Sequence, residues 1–148
     1  ERKILLSDEI SFLENYLNLE KMRFKNKFEY SFTIENALNL DNTYILPLMI
    51  QPIIENAVKH GMKGKEKNGN IEVFISDAVD SIYVKVQDNG SGFSPSSKKS
   101  GIYESMGMSI TKRRMEVAGK EFPMRFNLRK NSDGLVIGTA VEIYLNKL

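Results

Sequence analysis

The chain has 148 residues, 41% of them apolar and 27% charged, with a net charge of +2. That is the composition of a globular protein with material for one sizeable core. Acids and bases are interleaved, as in Glu20-Lys21-Met22-Arg23, so no basic stripe marks a nucleic-acid binder; having no cysteine excludes disulfides and thiolate metal sites.

The single histidine, His60, excludes a multi-histidine metal centre. The longest apolar run, Tyr44 to Ile54, is interrupted by Pro47, Gln51 and Pro52 and is too short to span a bilayer. No signal peptide is visible. The start at Glu1 reads as the start of a fragment, with any membrane anchor or sensor upstream. This piece is expected in the cytoplasm, with no membrane contact of its own.

In chain order, Ser7-Asp8-Glu9 reads as a helix start, a capping hydroxyl followed by acids in the first turn. Ile10, Leu13, Leu17 and Phe24, with Tyr16 alongside, extend the helix over 7–24. Phe28, Tyr30, Phe32 and Ile34 alternate with polar residues, so 28–34 is a strand with one buried face. The apolar stripe Leu46, Met49, Ile50, Ile53, Ile54, Ala57 and Val58 predicts a helix from about Ile45 to His60. Gly61 is its expected stop, Pro47 suits its first turn, and Pro52 falls inside it at the cost of a backbone hydrogen bond. A polar loop covers 63–70.

Ile71-Val73-Ile75 and Ile82-Val84-Val86 flank Asp77-Ala78-Val79-Asp80 as a β-hairpin. Residues 88–106 form a long loop rich in Gly, Ser and Lys, and helical character returns from Gly107 to Ala118. Strands at 122–128 and 136–145 are joined by the turn Asn131-Ser132-Asp133-Gly134. Paired strands and interspersed helices predict an α+β fold. Its form is a two-layer α/β sandwich, with a mixed, largely antiparallel sheet and helices on one face.

Three short stretches carry chemistry. In Glu55-Asn56-Ala57-Val58-Lys59-His60-Gly61, Asn56 and Lys59 are three apart on one helix face. An amide oxygen suits Mg²⁺ and an ammonium suits phosphate. In Asp88-Asn89-Gly90-Ser91-Gly92, after a strand, an ionised Asp accepts a hydrogen bond from the 6-amino group of adenine, where guanine would present an oxygen. Two glycines let backbone approach a ligand closely. In Ser105-Met106-Gly107-Met108, at a loop-to-helix junction, backbone N–H groups form an anion site. Each alone has a plainer reading: a core helix with a solvated face, an Asn-Gly turn, an ordinary junction. Together, in this order and each on its expected element, the three stretches point to one nucleotide site.

With these residues in view, the sequence resembles the superfamily of gyrase, Hsp90, histidine kinase and MutL (GHKL). More narrowly, it resembles the LytS-like sensor histidine kinases. The closer likeness rests on Asn15-Tyr16-Leu17-Asn18-Leu19-Glu20-Lys21-Met22-Arg23-Phe24 and on Leu46-Pro47 followed by Ile50-Gln51-Pro52-Ile53-Ile54-Glu55-Asn56-Ala57-Val58-Lys59-His60-Gly61. Asp88-Asn89-Gly90-Ser91-Gly92-Phe93, Gly107-Met108 and Arg114-Met115 complete it. The resemblance covers nearly the whole chain.

It implies a Bergerat-type ATP site. Asn56 ligates Mg²⁺, Asp88 binds adenine, and Gly90 and Gly92 shape the adenine pocket. Gly107 and Met108 meet the phosphates, Lys59 faces phosphate, and 93–106, with Lys98 and Lys99, is the ATP lid. Ser105 and Ile110 depart from the family's usual Gly and Asn. Related ATPases carry a water-activating carboxylate four residues before the metal-binding Asn; here that position is Pro52, which argues for phosphoryl transfer over hydrolysis. Glu55 is a weak candidate for a catalytic base, and His60 is read as structural rather than as the phosphoacceptor.

The resemblance further implies an acceptor histidine on an upstream dimerisation segment of a homodimer, with 1–25 as the connecting helix and 26–148 as the ATP-binding catalytic domain. Downstream stands a response regulator, often of LytTR type. A GHKL ATPase, an anti-sigma-like serine kinase and a degenerate interaction module are the alternatives.

Overall fold

The computed structural model describes residues 2–62, 67–90 and 124–148. The expected helix at 107–118 and the loop at 93–106 lie outside these residues, as do Phe122, Gly92, Gly107 and Met108.

Strand β1 (Ile4–Leu5) leads into helix α1 (Leu6–Arg23). The helix begins one residue before the expected capping Ser7. Its N-cap is Leu5, which offers no side-chain cap. Two of the open N–H groups instead donate to loop carbonyls, Leu6 to Thr43 (2.8 Å) and Ser7 to Leu40 (3.1 Å). The acids Asp8 and Glu9 lie in the first turn as expected. The helix ends at Arg23, and just beyond its C-cap Phe24 both Lys25 and Asn26 take positive φ, 56° and 60°.

Strand β2 (Phe28–Ile34) matches its predicted span. The next stretch does not. Tyr44–Ile45 is a short strand, β3, paired antiparallel with β1. Residues 47–50 are turns, with Leu48 at φ 61°. Helix α2 is Gln51–Asn56 and continues as a π-helical segment, Ala57–Met62. Pro52 therefore sits in the first turn of α2, where no intrahelical partner for its missing N–H is needed, and it interrupts nothing. Gly61 is no stop either, because the π-helical segment runs through it.

β4 (Gly69–Asp77) and β5 (Ser81–Asp88) form the predicted hairpin, and β6 (Met124–Lys130) and β7 (Val136–Asn146) form the last pair. The five-stranded sheet has the order β2-β4-β5-β7-β6, with β2 parallel to β4 and every other neighbour antiparallel.

Alternation sorts the sheet into two faces. Ile71, Val73 and Ile75, Ile82, Val84 and Val86, and Val141, Ile143 and Leu145 are buried on the inner face. They join Leu6, Ile10, Leu13 and Leu17 of α1 and Ile53, Ile54 and Val58 of the second helical segment in one core. Each such side chain contributes roughly 1.5–3 kcal/mol of burial. The described helices thus cover one face, as the two-layer reading expects. The other face carries Tyr83, Lys85 and Gln87 opposite Tyr144, Glu142 and Ala140. Burial, with the Glu142 hydrogen bond, pushes the Tyr83 hydroxyl up to about 12.

Candidate nucleotide site

The inner face opens at one end into a cleft with an apolar floor of Ile53, Ala57, Val86, Phe126 and Val141. Asn56, His60, Asp88 and Thr139 supply its polar groups. A concave, mostly apolar surface with a few fixed polar groups is the usual build of a small-molecule site.

Asp88 is the last residue of β5 and only 5% exposed. Its Oδ1 accepts the Gly90 N–H at 2.9 Å, which turns the chain sharply after the strand. Its backbone carbonyl accepts from Arg129 Nη1 at 2.6 Å, reaching across from edge strand β6. Gly138 on β7 leaves that route open, for a Cβ there would lie 1.9 Å from the Asp88 carbonyl oxygen. The sheet register slips beside it, with Arg129 opposite Gly138 but Lys130 opposite Val136, a bulge of the kind that re-aims side chains at sites.

Asn89 holds the same turn from the other side. Its Oδ1 accepts the Asn70 N–H (2.7 Å), its Nδ2 donates to the Asn68 carbonyl (2.8 Å), and its own N–H donates to the Asn70 carbonyl (3.2 Å). The pair Asn89-Gly90 is therefore more than a turn signal: the amide ties the end of β5 to the start of β4.

Asn56 ends α2 on the opposite wall and is 7% exposed. Its Oδ1 is shielded from solvent and has no hydrogen-bond partner among the described residues. A buried acceptor left unsatisfied costs about 1–3 kcal/mol, so such an oxygen calls for a ligand. Gln51 Oε1 is in the same condition, but Gln51 is not part of the cleft wall. No cluster of three or more His, Cys, Asp or Glu side chains exists among the described residues. A cation here would take one protein oxygen and fill its shell with phosphate and water, a habit of Mg²⁺.

Lys59, expected on the same face as Asn56, is exposed and not in the cleft wall. It lies in the π-helical segment, whose i→i+5 bonding widens each turn, so a three-residue spacing no longer stacks side chains. Glu55 is likewise not in the wall; its Oε2 accepts from Gln51 Nε2 at 2.9 Å. Burial, then the carboxylates of Glu20 and Glu55, raise the Tyr16 hydroxyl above its ordinary value. Gly90 stands at the cleft end of β5, directly against Gly61.

Sequence reasoning missed Thr139, Phe126, Arg129, Gly138 and the Asn89 clamp. The one available signal was Gly138-Thr139, a break in an otherwise apolar strand.

Residues 43–147 match the family described as histidine kinase-, DNA gyrase B-, and HSP90-like ATPase. The chain belongs to this family. Among curated relatives it is similar to the sensor protein LytS of Streptococcus mutans serotype c, 36% identical over 64% of this chain and 16% of that protein. The protein YwpD of Bacillus subtilis is 40% identical over 59% of this chain and 31% of its own length. The chain thus spans less than a third of these relatives.

Among solved structures, the catalytic domain of histidine kinase ThkA superposes with a TM-score of 0.68 at 17% identity, covering 99% of this chain and 95% of that one. The Acinetobacter baumannii histidine kinase AdeS gives 0.64 at 8% identity, over 98% and 66%. These likenesses show the fold.

Proposed function

We propose that the domain binds Mg²⁺–ATP and transfers its γ-phosphoryl group to a histidine on a segment outside this chain, as the catalytic part of a two-component sensor kinase. The observation that carries this reading is the cleft itself, with buried Asp88 on one wall and, on the other, an Asn56 Oδ1 that has no partner among the described residues.

Asp88 accepts the adenine 6-amino group while the apolar floor takes the ring faces. Asn56 Oδ1 is the protein's oxygen for Mg²⁺, which when bound neutralises phosphate charge. Gly92, Gly107 and Met108, and Lys59 with them, are assigned to the phosphate side by the family pattern. The attacking imidazole nitrogen forms the new bond to the γ-phosphorus as the bond to the bridging oxygen of ADP breaks. The protein's contribution is positioning and charge placement. Position 52, where related ATPases hold a water-activating carboxylate, is a proline in the first turn of α2, which supports transfer rather than hydrolysis.

The histidine belongs to a dimerisation segment reached through α1, and the phosphoryl group passes onward to a response regulator, with the LytTR type favoured by the family resemblance. The histidine kinase ThkA has been solved with the response regulator TrrA, at a TM-score of 0.66 and 16% identity to this chain, over 99% of this chain and 42% of that one. The site of action is the cytoplasm; no helix among the described residues is long and apolar enough to cross a membrane.

Calorimetry with ATP, ADP and GTP, with and without Mg²⁺, tests this on the chain and on Asp88→Asn. Adenine-selective, Mg²⁺-aided binding is expected, weakened about tenfold or more in the variant. Equal binding of ATP and GTP, or none at millimolar nucleotide, would remove the reading.

A further inference from the structure

Gly61 lies in the π-helical segment directly against Asp88. A Cβ built on it would stand 2.6 Å from Asp88 Cγ and 2.8 Å from each carboxylate oxygen. Real Cβ atoms do not approach that closely, so an alanine there forces something to move.

What moves differs from the neighbouring glycines. At Gly90 a Cβ would meet the backbone of Gly61, its carbonyl oxygen at 1.9 Å, and at Gly138 it would meet the backbone of Asp88. Neither backbone can step aside without undoing the sheet end. At Gly61 every nearest atom belongs to the Asp88 carboxylate, the end of a side chain with rotatable bonds. The chain can therefore accept a methyl group at this position by swinging that carboxylate away. The swing breaks its bond from the Gly90 N–H and carries the acceptor off its position.

We propose that Gly61 is a specificity-determining residue for the adenine base, acting as a positioning residue through Asp88. The inference rests on the reading that Asp88 receives adenine. The π-helical turn brings a Cα flush against the carboxylate, and the missing side chain leaves the carboxylate one place to stand. Selectivity for adenine over guanine then depends on a glycine of the cleft lining that acts through the carboxylate beside it.

The test is ATP and GTP affinity, by calorimetry, for the chain, Gly61→Ala, Asp88→Asn and the double variant, with thermal unfolding of each. Gly134→Ala is the matched control: Gly134 sits at φ 82° with nothing within 4 Å of a built Cβ, so it tests glycine loss away from the cleft. Gly61→Ala should stay folded, lose about tenfold or more in ATP affinity, and close the gap between ATP and GTP. Adding it to Asp88→Asn should cost nothing more, since both act through one carboxylate. Gly134→Ala should bind ATP like the parent.

Gly61→Ala binding ATP as the parent does would overturn the inference, as would its unfolding or an additive loss in the double variant. If the parent chain itself fails to prefer ATP, the nucleotide reading falls and takes this inference with it. That outcome differs from a selective parent with an indifferent Gly61→Ala.

Discussion

At one end of the β4–β5 pair the backbone is packed against other backbone; at the other it turns in water. The cleft end holds Gly69, Asn70, Asp88, Asn89 and Gly90, tied by side-chain-to-backbone bonds and closed by Gly61 and Gly138. The far end is the turn Asp77 to Ser81, where Ala78 N–H bonds the Ser81 carbonyl and Asp77 Oδ1 accepts from Val79. Val79 is 77% exposed and takes φ 70°, an unfavourable setting for a β-branched residue. Strain is tolerated where nothing is being aimed, and residues without side chains are used where something is.

The largest break in this contrast should come from Gly90→Ala. Backbone overlap with Gly61 should cost about 3 kcal/mol, read from the midpoint of urea unfolding. A loss under about 1 kcal/mol would mean that the cleft end is looser than its packing indicates. At the far end the sign reverses. Val79→Gly should stabilise by roughly 1 kcal/mol by relieving the left-handed backbone, with ATP binding unchanged; a destabilised variant would show that the turn is not strained.

The smallest effect concerns acid. The Lys147 hydrogen bond, at 2.6 Å, holds the Asp77 carboxyl below its ordinary value. A depressed folded-state value means that the unfolded chain takes up the proton first. This part of the stability is present above the ordinary Asp range and is lost as pH falls through the depressed value. Asp77→Asn should flatten that part of the acid limb of a thermal-unfolding series, and an unchanged limb would discount the ion pair.

The sequence made the sheet legible because its inner face alternates cleanly, as in Ile71-Val73-Ile75 and Ile82-Val84-Val86. The span of α1 was legible from Ile10, Leu13 and Leu17. The second helix was misdrawn, and the reason is burial. Met49 and Ile50 are fully buried in turns, so their apolarity continues a helical stripe without belonging to a helix. β3 is too short to show a period. Gly61 looked like a terminator because glycine usually is one, and only its contact with Asp88, across the fold, reveals why the helix runs through it.

Asn56 and Asp88 were legible as members of motifs. The clamp of Asn89 on Asn68 and Asn70, and the reach of Arg129 to the Asp88 carbonyl, were not. Each depends on which strands become neighbours, and local spacing does not encode that pairing.

The parallel pairing of β2 with β4 sets an order of assembly. β4 and β5 meet through a tight turn, an event of microseconds in small hairpins. Phe28 can meet Gly69 only after the intervening chain, β3 and α2 included, has been gathered into a crossover. Such distant closures carry the larger entropy cost and come later. The wall bearing Asp88 thus forms with the local hairpin, and the wall bearing Asn56 arrives with the crossover. A newly made chain can form the strand bearing Asp88 before the Asn56 wall is in place, so a ligand held between both walls would reward only the finished fold.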